Sequence, residues 1–212
     1  TRFEHADLSR QDLVAGNQAF KRSYSNTGWR LGSVYKLSPQ LSLYAQASKA
    51  ADPVSGLLML SAANAVFDVS SGKQFEVGIK HSFWDGKGDW TLAAYSITKN
   101  NLLTRDPANP ALRIQVGERS SRGIEGTLSM QVSKAVQIDA NFALLKARYD
   151  DFSELAGGVA VSRNGNVPTD VPQRVANLWA DWQFMPDWTL SGGLRHVGKR
   201  YADNANTLKL SA

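Results

Sequence analysis

Histidines and paired acids are the residues of this chain whose chemistry could support catalysis or hold a metal ion. The three histidines, His5, His81 and His196, lie far apart, and no two have the spacing typical of a zinc site. The adjacent acids Asp150 and Asp151 border a long polar segment, where solvated carboxylates are commoner than a general acid and base. The sequence therefore predicts no catalytic residue and no metal site.

Other chemical motifs are missing as well. The absence of cysteine excludes thiolate ligands, disulfides and thiol nucleophiles, and there is no G-x-S-x-G or G-x-G-x-x-G pattern. The net charge of +5 is spread along the chain without aromatic-flanked basic runs, which argues against a nucleic-acid partner. This mild basicity suits an anionic ligand or lipopolysaccharide phosphates. We expect a protein that is not an enzyme.

The composition indicates which elements must position any binding site. Hydrophobic residues make up 42% of the chain and charged residues 20%, with 6 Trp, 6 Tyr and 8 Phe, which favours a β protein. A mean hydropathy of -0.31 is too polar for helical membrane spans, and the most apolar stretch, residues 54–66, falls short of the ~20 residues needed. A β-barrel can still cross a bilayer, because only alternate residues of each strand need be apolar.

Short and long connections alternate along the chain. Short polar turns occur at residues 38–40, 85–88, 133–135 and 185–187, and long polar stretches at 9–27, 49–72, 99–120, 150–172 and from 198 onward. The segments between them predict nine strands, at about 1–8, 28–37, 41–49, 73–84, 89–99, 120–132, 136–150, 173–184 and 188–198. Outer-membrane barrels have this arrangement of short periplasmic turns and long extracellular loops.

Most strands alternate between an apolar and a polar face. Phe75, Val77 and Ile79 share one face, whereas Gln74 and Glu76 take the other. In the strand that begins at Trp90 both faces carry apolar residues, so its orientation stays open. The polar faces carry charges of both signs, which favours a wide lumen: Arg30, Lys36, Lys80, Arg195, Glu76, Glu125, Asp139 and Asp181.

Aromatic residues crowd the short turns, where a girdle at headgroup level would lie. The predicted girdle consists of Tyr35, Phe83, Trp84, Trp90, Trp182, Phe184 and Trp188. We therefore predict an all-β fold, namely part of an antiparallel transmembrane β-barrel that occupies residues 1–212.

Several consecutive blocks resemble one protein family. They are LSLYAQAS at 41–48, GKQFEVGIK at 72–80, YSITKNN at 95–101 with LTRDP at 103–107, GERSSRGIEG at 117–126, VPQR at 171–174 and GGLRHVGKRYAD at 192–203. In type and order they are similar to strands of TonB-dependent ferric-siderophore receptors, especially those for ferrichrome, ferrioxamine and pyoverdine. His196 and Lys199 depart from the commoner Tyr and Asp, so the subgroup stays open.

The resemblance implies a bacterial outer-membrane receptor that imports ferric siderophores with energy from TonB. About nine strands of a barrel of about 22 strands would lie in this chain, with the plug, the TonB contact and the closing strands outside it. Iron would enter only as cargo, with no resident cofactor, and the barrel would face outer-membrane lipid and lipopolysaccharide. No ligand residue transfers from the family, and Phe67, Arg105 and Tyr149 are predicted from the long loops as ligand contacts.

Three other functions stay open from the sequence. One is a passive porin, and another is a TonB-dependent receptor for a different cargo such as cobalamin or a glycan. The third is a structural barrel of the autotransporter type.

Overall fold

A computed structural model describes residues 1–12, 18–52, 67–105 and 113–212. Its main feature is one antiparallel sheet of nine strands, in which each strand pairs with the next along the chain. The strands are β1 (Arg2–Asp12), β2 (Gln18–Lys36), β3 (Leu41–Ala51), β4 (Ser71–Phe83), β5 (Gly88–Arg105), β6 (Arg113–Ser133), β7 (Val136–Asp151), β10 (Arg174–Met185) and β11 (Trp188–Val197). Two small hairpins lie between and after them, β8 (Ser153–Ala156) with β9 (Val159–Ser162), and β12 (Arg200–Tyr201) with β13 (Lys209–Leu210).

The nine strands and the four short turns are confirmed, but two predicted loops are wrong in extent. Residues 9–12 and 18–27 belong to the β1–β2 hairpin, and residues 99–105 and 113–120 extend β5 and β6. These extensions carry polar residues on both faces, so they lack the apolar alternation by which the rest of each strand is recognised. Strands as long as these exceed the ~9–11 residues needed to cross a bilayer.

The short turns have well-defined local causes. Ser38 Oγ accepts hydrogen bonds from the backbone N–H of Gln40 (3.2 Å) and Leu41 (3.1 Å), which closes the first turn. The second is a single 3-10 turn at Trp84–Gly86, with positive φ at Trp84 (51°) and Asp85 (53°). Gly86 completes it at φ 84°, which costs glycine little.

The sheet exposes large apolar side chains on one of its faces. Leu194 is 75% exposed, Leu31 73% and Phe75 55%, while Ala93 on the opposite face is only 3% exposed. This is the reverse of a soluble sheet and fits a barrel wall surrounded by lipid. The register also settles the orientation of β5: Leu92 lies opposite Ile79, so Trp90, Leu92 and Ala94 belong to the outward face.

Aromatic side chains cover glycines on neighbouring strands. The Tyr44 ring lies over Gly78, the Phe142 ring over Gly126, and the Trp179 indole against Gly193. Each aromatic is directly opposite its glycine in the strand register. A flat ring fills the space that a missing side chain leaves in the sheet.

Within the four described ranges, no helix is long and apolar enough to cross a membrane.

Candidate ligand-binding face

The inward face of the sheet carries a polar network. All eight charged residues predicted to face the lumen share this face in the strand register. Near the centre of the sheet, Glu76 accepts hydrogen bonds from the Tyr44 hydroxyl (2.7 Å) and from Gln74 Nε2 (2.8 Å), and Lys80 Nζ lies 5.0 Å from the centroid of the Tyr44 ring. These contacts give the polar side chains of the inward face partners within the wall, with no apolar core beneath it.

A second group of contacts continues this face towards β11. Asn177 donates a 2.7 Å hydrogen bond to Asn141, and Asp181 accepts from Ser191 Oγ and from Trp179 Nε1. A lumen that holds water or a polar domain can accommodate such groups, whereas a packed apolar core would leave them unsatisfied.

The strand ends next to the long loops enclose a cavity of about 260 Å³ on this face. Its lining is mixed: Ile97, Leu145, Ala147, Pro168 and Val171 with the polar residues Lys99, Arg119, Ser120 and Ser121. Lys99 lies directly opposite Arg119, which lies directly opposite Tyr149. Like charges opposite each other are unfavourable, so this pair favours an anionic or strongly electronegative ligand.

The carboxylate of Asp52 only partly offsets this positive charge. Lys99 Nζ is 3.4 Å from Asp52 Oδ1, and both side chains are partly exposed. Lys99 and Arg119 were not among the residues predicted to bind ligand. Lys99 alternates in phase with Tyr95 and Ile97, but the sequence leaves the orientation of this strand open. Arg119 alternates in phase with Glu125 on β6, but it falls within the predicted loop 99–120.

A buried polar network joins two loops above this cavity. The Tyr149 hydroxyl donates to Asn204 Oδ1 (2.7 Å), Asn204 Nδ2 donates to Glu154 (2.8 Å), and Arg163 Nε donates to Glu154 (2.7 Å). Asn204 is 2% exposed and Tyr149 3%. Burial raises the pKa of Tyr149 above its usual 10.0, while the Arg119 charge and a hydrogen bond with Thr169 oppose that rise. The network fixes the loops against the end of β7.

The structure does not bring the three predicted ligand contacts together. Phe67 packs with Leu8, Tyr24 and Val69, and its carbonyl oxygen accepts a 2.9 Å hydrogen bond from Arg22. Tyr149 belongs to a separate cluster with Phe152, Leu102 and Ile114. Arg105 is the last residue of β5, opposite Arg113, and its side chain lies outside the described part of the structure. Contact of these residues with ligand stays a prediction.

The predicted girdle residues lie at the short-turn end of the sheet. Tyr35 is 67% exposed and Trp188 65%, with Trp84, Trp182 and Phe184 also among the exposed large side chains. Trp182 packs against Phe184 at 5.7 Å between ring centroids, and Trp90 packs against His81 at the same distance. His81 therefore sits among aromatics on the outward face, away from the other histidines.

Among the residues that the structure describes, no group of three or more His, Asp or Glu side chains is placed to hold a metal ion.

Comparison with known proteins decides the family. All 212 residues match the family model described as "TonB dependent receptor-like, beta-barrel". This chain belongs to that family. As a TonB-dependent receptor barrel, it lies in the bacterial outer membrane, and its family consists of receptors and transporters, not enzymes.

Curated relatives support the family match over almost the whole chain. This chain is 30% identical to the ferrichrome outer membrane transporter/phage receptor of Escherichia coli over 100% of its own length and 27% of that protein. It is 28% identical to the metal-pseudopaline receptor CntO of Pseudomonas aeruginosa over 95% of itself and 29% of that protein. This chain thus spans less than a third of the length of either relative.

Solved structures confirm the receptor fold. The siderophore receptor PiuA of Acinetobacter baumannii matches with a TM-score of 0.76 at 24% identity, over 97% of this chain and 31% of that one. The ferric citrate transporter FecA in its unliganded form matches with a TM-score of 0.73 at 20% identity, over 99% and 31%. The predicted all-β barrel wall and the predicted family are both confirmed.

Proposed function

We propose that this chain is the wall segment of an outer-membrane receptor that actively imports ferric siderophores. One observation carries the proposal: the family match over residues 1–212 is joined by relatives named for ferrichrome and ferrioxamine. The polar inward face and the exposed apolar face are those of a wall between lipid and an aqueous or plugged lumen. Residues 1–212 form part of the barrel, and the plug and the contact with TonB are supplied by other parts of the protein.

The cargo contacts proposed from this segment lie at the lumen mouth. Lys99 and Arg119 offer two cations beside the apolar side chains of Ile97 and Leu145 in the 260 Å³ cavity. A ferric chelate presents electron-rich oxygen ligands and methylene groups, which such a mixed lining complements. Phe67, Arg105 at the end of β5 and Tyr149 near the end of β7 remain proposed secondary contacts. Iron passes only as cargo, so the protein needs no cofactor of its own, and nucleic acid is not a partner.

The outward face is the lipid-facing surface in this proposal. Tyr35, Trp182 and Trp188 with their neighbours form the interfacial girdle at the periplasmic boundary. The exposed apolar side chains of the outward face, between this girdle and the long loops, contact the acyl chains of the lipid.

Iron-limited growth tests this function directly. The full-length gene is deleted. Growth is then measured with ferrichrome or ferrioxamine B as the iron source, in medium that requires uptake of vitamin B12, and on a maltodextrin as the carbon source. The uptake of radiolabelled iron is measured alongside. We expect growth and uptake to be lost for one ferric siderophore and restored by the gene in a strain with intact TonB. Uptake that persists without TonB would indicate a passive porin, and loss of cobalamin or glycan use alone would indicate another cargo.

A further inference from the structure

A small cavity rich in basic side chains lies at the long-loop end of the sheet. Its volume is about 150 Å³, and it is lined by two segments, residues 167–173 before β10 and residues 199–209 around the β12–β13 hairpin. The lining includes three cations, Lys199, Arg200 and Lys209, and no acid. We name this space the basic cavity and its walls the two lining segments.

The protein compensates the charges of the basic cavity poorly. Within the described ranges, neither Lys199 nor Lys209 has a hydrogen bond or an ion pair, although Lys209 Nζ lies 5.7 Å from the centroid of the Tyr201 ring. Arg200 Nε is 3.5 Å from Oδ1 of Asp170, whose side chain is 77% exposed. That nitrogen is buried without a hydrogen-bond partner among the described residues. Since a buried donor without a partner is unfavourable, Arg200 favours an acceptor from outside the protein.

An acid close to these cations in sequence is occupied elsewhere. Asp203 accepts hydrogen bonds from the backbone N–H of Thr207 (3.0 Å) and Leu208 (2.9 Å), and from Thr207 Oγ1 (2.6 Å). These bonds close the turn between β12 and β13. Asp203 therefore shapes the hairpin and supplies no charge to the cavity lining.

The volume of the basic cavity limits what it can hold. At about 150 Å³ it is smaller than the 260 Å³ cavity that we propose for cargo, and well below the ~300–1,000 Å³ that drug-sized ligands occupy. A small anion therefore suits it better than a whole ferric siderophore. An oxyanion presents oxygen atoms in several directions, which matches cations that approach from both sides of the β12–β13 hairpin.

The basic cavity shares a wall with the cavity proposed for cargo. Val171 lines both cavities, and Pro168 of the same segment lines the cargo cavity. The backbone N–H of Asp170 donates a 2.9 Å hydrogen bond to the Tyr201 carbonyl oxygen, so the two lining segments are already in contact. A ligand held between them would add a further link and would restrain the shared wall.

We propose that the basic cavity binds a small dianionic oxyanion of the phosphate type from the external medium, and that the bound oxyanion fixes the wall shared with the cargo cavity. Lys199 and Lys209 supply two charges without protein partners among the described residues, and Arg200 supplies a directed N–H donor. The side-chain amide of Gln173 is a further donor in the lining. Hydrogen bonds from charged donors to an oxyanion are stronger than those between neutral groups. This inference rests on the loop geometry and not on the choice of cargo.

Hydrogen exchange of the full-length receptor tests the oxyanion site. The receptor is purified in a neutral detergent, and exchange in the two lining segments is followed by mass spectrometry as inorganic phosphate is added. Chloride at matched ionic strength and dioleoyl phosphatidic acid are the comparison probes. The variant is K199Q/K209Q, which removes two charges without breaking a described hydrogen bond or ion pair. The control is K21Q/K146Q, which removes two exposed cations that line neither cavity.

We expect phosphate to slow exchange in both lining segments of the natural receptor. The K199Q/K209Q variant should need at least about tenfold more phosphate for the same protection, and the control should respond like the natural receptor. An equal response of variant and natural receptor would overturn the proposal. So would equal protection by chloride, which would indicate general screening of charge, or protection by phosphatidic acid alone, which would indicate a lipid ligand. If K199Q/K209Q opens the loops before phosphate is added, K209Q alone gives the same comparison with a smaller shift.

Binding of ferric siderophore by the same preparations separates this inference from the proposed function. Retained siderophore binding with an unchanged phosphate response in the variant would refute only the oxyanion site. Absence of siderophore binding with the expected phosphate response would refute only the proposed cargo.

Discussion

The Tyr149 hydroxyl donates a 2.7 Å hydrogen bond to Asn204 Oδ1, across 55 residues of sequence. Because Asn204 also donates to Glu154, and its carbonyl oxygen accepts from Asn166 at 2.7 Å, one buried side chain joins the end of β7 to two loops. These loops lie beside the cavity that we propose for cargo.

Replacing Asn204 with alanine should loosen both loops while the barrel wall stays folded. Tyr149 and Glu154 would each lose a buried partner, which costs about 1–3 kcal/mol. Hydrogen exchange of the full-length receptor should show faster exchange in residues 152–172 and 198–210. Asn177→Ala is the matched control, because Asn177 bonds Asn141 on the wall and contacts neither loop. Unchanged exchange in both loops would contradict the role of Asn204.

The loop contact should also depend on pH above 10. Burial raises the pKa of Tyr149 above its usual 10.0, so the folded loop keeps a proton that the opened loop has lost. The stabilisation is therefore complete below pH 10 and is lost as the pH rises through the raised pKa. A spectrophotometric titration of the natural receptor should contain one late phenolate transition that Tyr149→Phe lacks. If the transition that Tyr149→Phe lacks instead lies at or below pH 10 in the natural receptor, Tyr149 is accessible to solvent and the prediction is wrong.

Gly78 should tolerate no larger side chain. A Cβ at this position would overlap the Tyr44 ring, which would have to leave Glu76. We expect Gly78→Ala to destabilise the barrel by about 1–3 kcal/mol. Gly32→Ala on β2 is the control, because a Cβ there would meet its nearest atom, the Ala45 carbonyl oxygen, at 3.4 Å, an ordinary contact distance. Urea unfolding in lipid vesicles of the full-length protein measures both, and equal midpoints would disprove the close packing at Gly78.

A charge in the middle of the apolar outward face should lower the stability of the barrel, although the position is exposed. Leu178 is 45% exposed and lies between Ala140 and Leu194 on the outward face. In a bilayer, Leu178→Arg should cost about 2–4 kcal/mol. Thr127→Arg, on the inward face, should cost much less. The folded fraction of the receptor in vesicles, read by heat-modifiable electrophoresis, compares them, and equal fractions would refute the lipid-facing assignment.

Arg119 should matter for cargo without affecting folding. Its charge lies beside that of Lys99 in the mouth cavity, and we expect Arg119→Gln to weaken binding of the transported ferric siderophore by roughly tenfold. Fluorescence quenching titrations of the purified full-length receptor measure the dissociation constant. Lys36→Gln, a cation of the same face near the first short turn, is the control. Equal affinity in all three proteins would remove Arg119 from the site.

Much of the wall was predictable from the sequence. The faces of β4, β6, β7, β10 and β11 were assigned correctly because each second side chain meets lipid, and lipid excludes uncompensated charge. The four short turns were recognisable because Gly, Pro, Asp and Ser have local conformational preferences. Above the bilayer both faces meet water, so the alternation ends, and the sequence predicts loops where the structure extends β1, β2, β5 and β6.

The amino-acid sequence by itself determined the strand pattern, the outward face and the family, because these depend on neighbours along one strand. Only the tertiary structure decided the orientation of β5, the pairing of Lys99 with Arg119 and the contact of Tyr149 with Asn204. Each depends on which residue of one strand or loop lies opposite a residue far along the chain. That pairing is fixed by the register of the whole sheet, in which a shift of one residue exchanges the two faces.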